Sequence, residues 1–214
     1  MKIAIVGATG RTGHHVLEHA LERGHTVVAI ARDPGRLAGM PRVGAPDAVR
    51  VVKATAQDVA ALTDAFRDVD AVVSALGPNK TSGDRVLTTG VTATLAAMEA
   101  AGVRRLIVVS ASGHLTDGDA LFVRMLVKPI LQAALRKSYA DMREMERIVQ
   151  ASDTDWTIMR PPMLTDKDAR GTYQARRNLN VRSGFTITRT DLAAAILDQL
   201  EDETTIRQAV SVAN

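Results

Sequence analysis

Short β-branched runs alternate along the chain with longer segments of helical period, and this alternation predicts βαβ units stacked into a parallel sheet. Six runs read as strands: Lys2 to Val6, Thr26 to Ala31, Arg50 to Ala54, Ala71 to Ala75, Arg105 to Ser110 and Trp156 to Met159. Their nearly continuous apolar character is that of strands covered on both faces. Ala209 to Val212 reads as a weaker seventh strand. Between the runs, apolar positions recur three and four residues apart, as in Val16, Leu17, Ala20 and Leu21 before a stop at Gly24, and Val91, Leu95, Ala96 and Met98 before Gly102. These segments read as helices. Right-handed crossovers place such helices on both faces and ligands at the carboxyl ends of the strands. The expectation is an α/β fold with a doubly wound, mostly parallel sheet and a single domain over 1–214. No repeat, low-complexity tract or linker divides it, and the polar stretch 165–185 predicts a loop or small subdomain over the strand ends.

Composition narrows the class. With 214 residues, 46% hydrophobic and 24% charged, the chain can bury a full core without disulfide or metal staples. The absence of cysteine removes thiolate metal sites and Cys nucleophiles and fits a reducing compartment. The first residues enter a strand-like block with no signal-peptide layout. Leu121 to Leu135, the longest apolar stretch, is broken by Arg124, Lys128 and Pro129, and is shorter than the ~20 residues of a membrane span. A cytoplasmic protein, monomeric or homodimeric, with no membrane partner, is therefore expected. A net charge of +3 and 3% aromatic residues argue against nucleic acid as a partner.

Three weaker signals read as structure. His15-Val16-Leu17-Glu18-His19 matches a metal-binding H-x-x-E-H pattern but sits on the first helix, where a solvated face is expected and no metal. Asn79-Lys80-Thr81, which fits a glycosylation acceptor, reads as a loop. Leu121, Phe122, Met125, Leu126, Ile130 and Leu131, interleaved with basic residues, read as a helix pair over the sheet, bent at Pro129 and edging a cleft. A docking face for a membrane or partner subunit is the other reading of that segment.

The chemistry is concentrated at Gly7-Ala8-Thr9-Gly10-Arg11-Thr12-Gly13, which follows the first strand directly and opens the first helix. Strand, G-x-x-G-x-x-G and helix in this order are the context of a Rossmann-type dinucleotide fingerprint. Gly7 permits the sharp turn, Gly10 admits a pyrophosphate close to the backbone, and Gly13 lets helix and strand pack. Free amides and the positive helix end, with Thr9 and Thr12, then suit the anion. After the second strand, where an acid would bind a ribose hydroxyl, stands Arg32, with Arg36 one helical turn later. Guanidinium groups suit a 2′-phosphate, and Arg11 can assist, so NADP(H) is expected in preference to NAD(H). In the competing reading both arginines are solvated and Asp33 takes the ribose.

These residues resemble the atypical short-chain dehydrogenase/reductase group of NAD(P)-binding proteins, and more closely its flavin reductase/biliverdin-IXβ reductase-like branch. The resemblance runs through the glycine loop, Ala31-Arg32-Asp33 with Arg36, Gln57-Asp58-Val59, Asp70 to Val73 leading to Ala75-Leu76-Gly77, Val109 to Ser112, Trp156 to Pro162, and Thr190-Asp191-Leu192-Ala193. It implies that Asp58 and Val59 flank the adenine, and that Ala75, Leu76 and Gly77 line the cofactor. Ser110 and Ser112 would lie near the nicotinamide, with Pro161, Pro162 and Met163 beyond. Asp58 also suits the N-cap of a helix starting at Val59.

The catalytic centre departs from the family. Dehydrogenases of the wider group pair a Tyr proton donor with a Lys four residues later, whereas Tyr139 is followed at that spacing by Arg143. Met142 stands where related chains often carry Lys or His, and Met163 where the branch carries His. Ser112 and Tyr139 are the catalytic candidates, with Pro162 and Met163 toward the substrate. A flavin, quinone-like or tetrapyrrole acceptor stacked on the nicotinamide can take its proton from water, so an NADPH-dependent reductase of such an acceptor is the expected function. The rival is a non-catalytic NAD(P)-binding redox sensor of the NmrA-like type.

Overall fold

A computed structural model of the chain describes residues 1–38, 40, 48–77, 85–112 and 136–214. The expectations for 121–135 and for Asn79-Lys80-Thr81 lie outside these. Strands β1 (Lys2–Val6), β2 (Thr26–Ala31), β3 (Val49–Lys53), β4 (Ala71–Ser74), β5 (Arg105–Val109), β6 (Asp155–Arg160) and β10 (Gln208–Ala213) match the seven expected runs to within one residue at either end. Helices α1 (Arg11–Glu22), α2 (Val59–Phe66), α3 (Val86–Ala101), α4 (Arg136–Gln150) and α5 (Arg189–Glu201) lie between them.

The polar stretch 165–185 and its flanks contain three short strands that periodicity did not indicate: β7 (Met163–Thr165), β8 (Gln174–Arg177) and β9 (Thr186–Thr188). Strand β8 pairs antiparallel with β10 at the sheet edge, while β7 and β9 form a parallel pair of their own. The sheet order is β3-β2-β1-β4-β5-β6-β10-β8, the arrangement of a Rossmann-like doubly wound fold. No helix among the described residues is long and apolar enough to cross a membrane.

Strand alternation feeds two cores. Ile3 and Ile5 of β1 join Val16, Leu17 and Leu21 of α1 and Leu192, Ile196 and Leu197 of α5 on one face. Ala4 and Val6 point the other way, to Leu62 and Phe66 of α2, Val91 and Met98 of α3, and Met145 and Val149 of α4. All of these side chains are buried, so burial on both faces explains why the strands read as unbroken apolar runs. Trp156 packs in the second core. Because β1 to β6 run parallel, their carboxyl ends open on one side, and the loops there build the site.

Candidate functional site

At the end of β1 the chain turns at Gly7 with φ of +87°, and the Gly10 amide donates to the Gly7 carbonyl at 2.9 Å. A positive φ strains any residue with a side chain, so glycine is required there. A Cβ on Gly13 would run into the Gly7 carbonyl, so the same economy of atoms lets α1 start directly over β1. Gly10 is the N-cap of α1, no side chain caps the helix, and its first turn carries no acid. The amides of that turn therefore face outward without side-chain acceptors, which is the electrostatic form of an anion cradle.

These amides border a cleft of about 560 Å³ across the strand ends. Of the residues expected from sequence, Gly7, Thr9, Gly10, Arg11 and Thr12 line it from the glycine loop, and Arg32 and Arg36 line it after β2. Ala75, Leu76 and Gly77 after β4, Ser110 after β5 and Pro162 after β6 complete the set brought together. Gly13, Asp58, Val59, Ser112, Tyr139 and Met163 are not among the lining residues. Asp58 is turned to the N-cap of α2, where its Oδ1 accepts from the Ala61 amide at 3.0 Å, and its neighbours Ala56 and Gln57 line the cleft instead. Ser112 is tied through its amide to the Pro161 carbonyl at 2.8 Å, and Met163 is 67% exposed.

Tyr139 is buried, and desolvation raises its pKa above the ordinary value. Arg143 is exposed, and Met142 is the α4 residue that enters the cleft. The helix is held in this rotation from two sides. Asp141 bonds to the start of α3, and one turn beyond Met142 the buried Glu146 receives a bidentate ion pair from Arg160 of β6, at 3.1 and 2.5 Å. Residues four apart share a helix face, so pinning Glu146 against the end of β6 aims Met142 at the same strand end.

The charge is one-sided. Arg11, Arg32, Arg36 and Arg189 line the cleft, and among the described residues no Asp or Glu does. Arg32 and Arg36 are exposed and have no ion-pair partner among the described residues. Asp33, the rival for a ribose, is directed elsewhere: its Oδ1 accepts from the Gly35 amide at 3.2 Å and caps the short 3-10 turn Pro34–Leu37. Arg189, which sequence reasoning missed, begins α5 and donates to Asp166 at 2.5 Å, and Arg11 ion-pairs with the other oxygen of the same carboxylate. Burial, and then the charge of Arg11, lower the Arg189 pKa. Ser110 closes the inner end. Its residue is 6% exposed, and its Oγ is the single buried side-chain polar atom without a hydrogen-bond partner among the described residues.

Comparison with known proteins agrees with this geometry. The model of a family described as NAD(P)H-binding matches residues 7–203. The uncharacterized protein YwnB of Bacillus subtilis (strain 168) is 28% identical over 208 residues, covering 94% of this chain and 92% of that protein. The fold superposes on a short-chain dehydrogenase/reductase from Veillonella parvula DSM 2008, solved in complex with NADP, with a TM-score of 0.83 at 18% identity, covering 100% of this chain and 94% of that one. It superposes on ChuY, an anaerobillin reductase from Escherichia coli O157:H7, with a TM-score of 0.79 at 24% identity, covering 100% and 97% of the two chains. With the parallel sheet, the glycine loop at the end of β1 and a family match over most of its length, the chain belongs to the NAD(P)H-binding family.

Proposed function

We propose that the protein is an NADPH-dependent reductase that delivers hydride to a small planar acceptor, a flavin, a quinone-like compound or a tetrapyrrole. The observation that carries the cofactor choice is the pair Arg32 and Arg36, both on the cleft and without an ion-pair partner among the described residues, while Asp33 is committed to the Gly35 amide. Two guanidinium groups match a 2′-phosphate, and an acid already engaged as a cap is a poor ribose partner. In this reading the first-turn amides of α1 hold the diphosphate, and Ala75, Leu76 and Gly77 form the wall beside it. When bound, the dihydronicotinamide supplies a hydride.

What the chain adds is orientation and exclusion of water. Pro161, Pro162, Val109 and Met142 give the inner part of the cleft an apolar lining, against which a planar acceptor can stack. The buried Ser110 hydroxyl has a donor to spend, and in this reading it bonds an acceptor oxygen or nitrogen as charge develops there. Among the described lining residues there is no Tyr, His or Lys, so none of them matches the proton donor of a carbonyl reductase. An acceptor held there would take its hydride from the bound dihydronicotinamide and its proton from water. The solved relatives, one bearing NADP and one acting as an anaerobillin reductase, support the reading.

Met142 on the cleft, with Tyr139 not among its lining residues, also favours a second reading, a redox sensor that binds the dinucleotide without turnover. The two separate in one experiment, NADPH oxidation against a panel of flavins and quinones. Turnover supports the reductase, tight NADPH binding without turnover across the panel supports the sensor, and no binding contradicts both.

A further inference from the structure

Two guanidinium groups from different helices meet on one carboxylate beside the glycine loop. Arg11 is the first residue of α1 and Arg189 the first residue of α5, and they pair with opposite oxygens of Asp166. The two helices pack over the same core, Val16 and Leu17 of α1 with Leu192 and Ile196 of α5. The shared carboxylate therefore marks the place where their starts come together.

The two starts are built differently. That of α5 is closed on itself, because the Thr188 hydroxyl accepts from the Asp191 amide at 3.0 Å and Asp191 stands in the first turn. That of α1 has neither a side-chain cap nor a first-turn acid. One helix thus brings uncapped amides and the other a cation, and Arg11 and Arg189 both line the cleft. The Arg189 side chain is only 12% exposed, and burial, then the charge of Arg11, lower its pKa. Two cations placed so close, one of them desolvated, require an anion between them.

Asp166 supplies that anion in a form that can be exchanged. One oxygen to each guanidinium is also the way a phosphate group bridges two arginines. Asp166 is 54% exposed, lies on the connection after β7 and is not among the residues that line the cleft. It lines instead a neighbouring polar cavity of about 470 Å³, where Lys167 and Arg170 offer other cations to a displaced carboxylate. The connection does not depend on the Asp166 contacts, since downstream Asp191 accepts from the Arg170 amide at 2.9 Å and the Gly171 amide at 3.0 Å.

We infer that Arg189 joins Arg11 and the first-turn amides of α1 in binding the diphosphate of the dinucleotide, and that Asp166 occupies the two cations until the diphosphate displaces it. This rests on the dinucleotide reading of the cleft and deepens it. Arg32 and Arg36 set which dinucleotide is preferred, whereas Arg189 and Asp166 set how tightly any ligand with a diphosphate is held.

The test is calorimetric titration of the full chain with four ligands: NADP⁺, NAD⁺ and ADP, which carry the diphosphate, and 2′-AMP, which does not. Arg189→Met should weaken the first three by a common factor, roughly 10- to 150-fold for lost charge-assisted contacts, and leave 2′-AMP within about twofold. Arg189→Lys should retain part of the affinity, separating lost charge from lost folding. Asp166→Asn should tighten the same three ligands several-fold, whereas Asp168→Asn, which removes the same charge two residues along the chain, should change them by less than about twofold. ADP binding that ignores Arg189→Met overturns the inference, as does an equal loss of 2′-AMP. Weaker ADP binding by Asp166→Asn also overturns it, because Asp166 would then be a strut for the arginines and not their exchangeable partner. ADP has no 2′-phosphate and nothing to reduce, so a chain without NADP(H) preference or turnover would still pass this test, while a wild type that binds none of the four ligands would remove the dinucleotide reading itself.

Discussion

The Asp141 carboxylate accepts a hydrogen bond from the Leu87 amide at 2.9 Å, so a side chain of α4 caps the start of α3 from 54 residues away. Its second oxygen takes the Thr88 amide at 3.0 Å and the Thr88 hydroxyl at 2.5 Å. Arg85, the residue in the N-cap position, supplies no side-chain cap, and the long-range carboxylate replaces it. Asp141→Ala should therefore leave the two amides and the Thr88 hydroxyl without this acceptor and cost about 1 to 3 kcal/mol. In a chain of this size that is a melting shift of roughly 3 to 10 °C, read by calorimetry. An unchanged melting temperature would show that water satisfies the amides.

The same anchoring brings Met142 to the cleft, and Tyr139 is not among the lining residues, which separates two variants. Tyr139→Phe should lower turnover with a flavin acceptor by less than the ~100-fold of a lost general acid. Ser110→Ala should lower it by ~100-fold if its hydroxyl stabilises charge developing on the acceptor. Deleting an orphaned buried hydroxyl removes a desolvation cost, so Ser110→Ala should also melt at the same temperature or higher. Activity and stability moving in opposite directions is the signature to seek in steady-state rates and thermal melts. A large loss at Tyr139 with folding and cofactor affinity intact would instead point to an acid–base dehydrogenase and to carbonyl acceptors.

Asp191 gives a pH dependence with a definite sign. Burial pushes its carboxyl upward, but the Arg170 amide, the Thr188 hydroxyl, the Gly171 amide and the Asn214 amide outweigh this and hold its pKa below the ordinary 3.8. A depressed folded value means the stabilisation is complete above the unfolded pKa and is lost as pH falls through the folded one. Asp191→Asn should cost about 1.5 to 3 kcal/mol near pH 7, as expected for hydrogen bonds to a charged group. The gap between wild-type and variant melting temperatures should close as pH drops below about 4. A gap that stays constant down to pH 3 would mean the charge contributes nothing.

Much of the site could be read from the chain because it is local. The strand, G-x-x-G-x-x-G and helix at the start, and Arg32 with Arg36 after β2, are set by turns of a few residues. The seven long strands were legible because both of their faces are buried, whereas β7 and β9 have three residues each and the exposed β8 reads Gln-Ala-Arg-Arg, so none produces an apolar run. Asp58 shows the limit of a motif: the Asx cap of α2 consumes its carboxylate, and the chain presents Gln57 in its place. Arg189, Asp166 and the Asp141 cap could not be seen at all, since each depends on a tertiary contact between segments more than twenty residues apart.

The proposed role of Arg32 and Arg36 in holding the 2′-phosphate of NADP(H) is tested by calorimetric titration of the wild type and Arg32→Glu with NADP⁺ and NAD⁺. The wild type should bind NADP⁺ more tightly. Saturation at about 100 times the dissociation constant should stabilise the fold by roughly 2.7 kcal/mol. Arg32→Glu should weaken NADP⁺ by roughly 10- to 150-fold, the worth of lost charge-assisted hydrogen bonds, and leave NAD⁺ binding unchanged or improved. Equal weakening of both cofactors would make Arg32 structural, and no binding of either by the wild type would contradict the account.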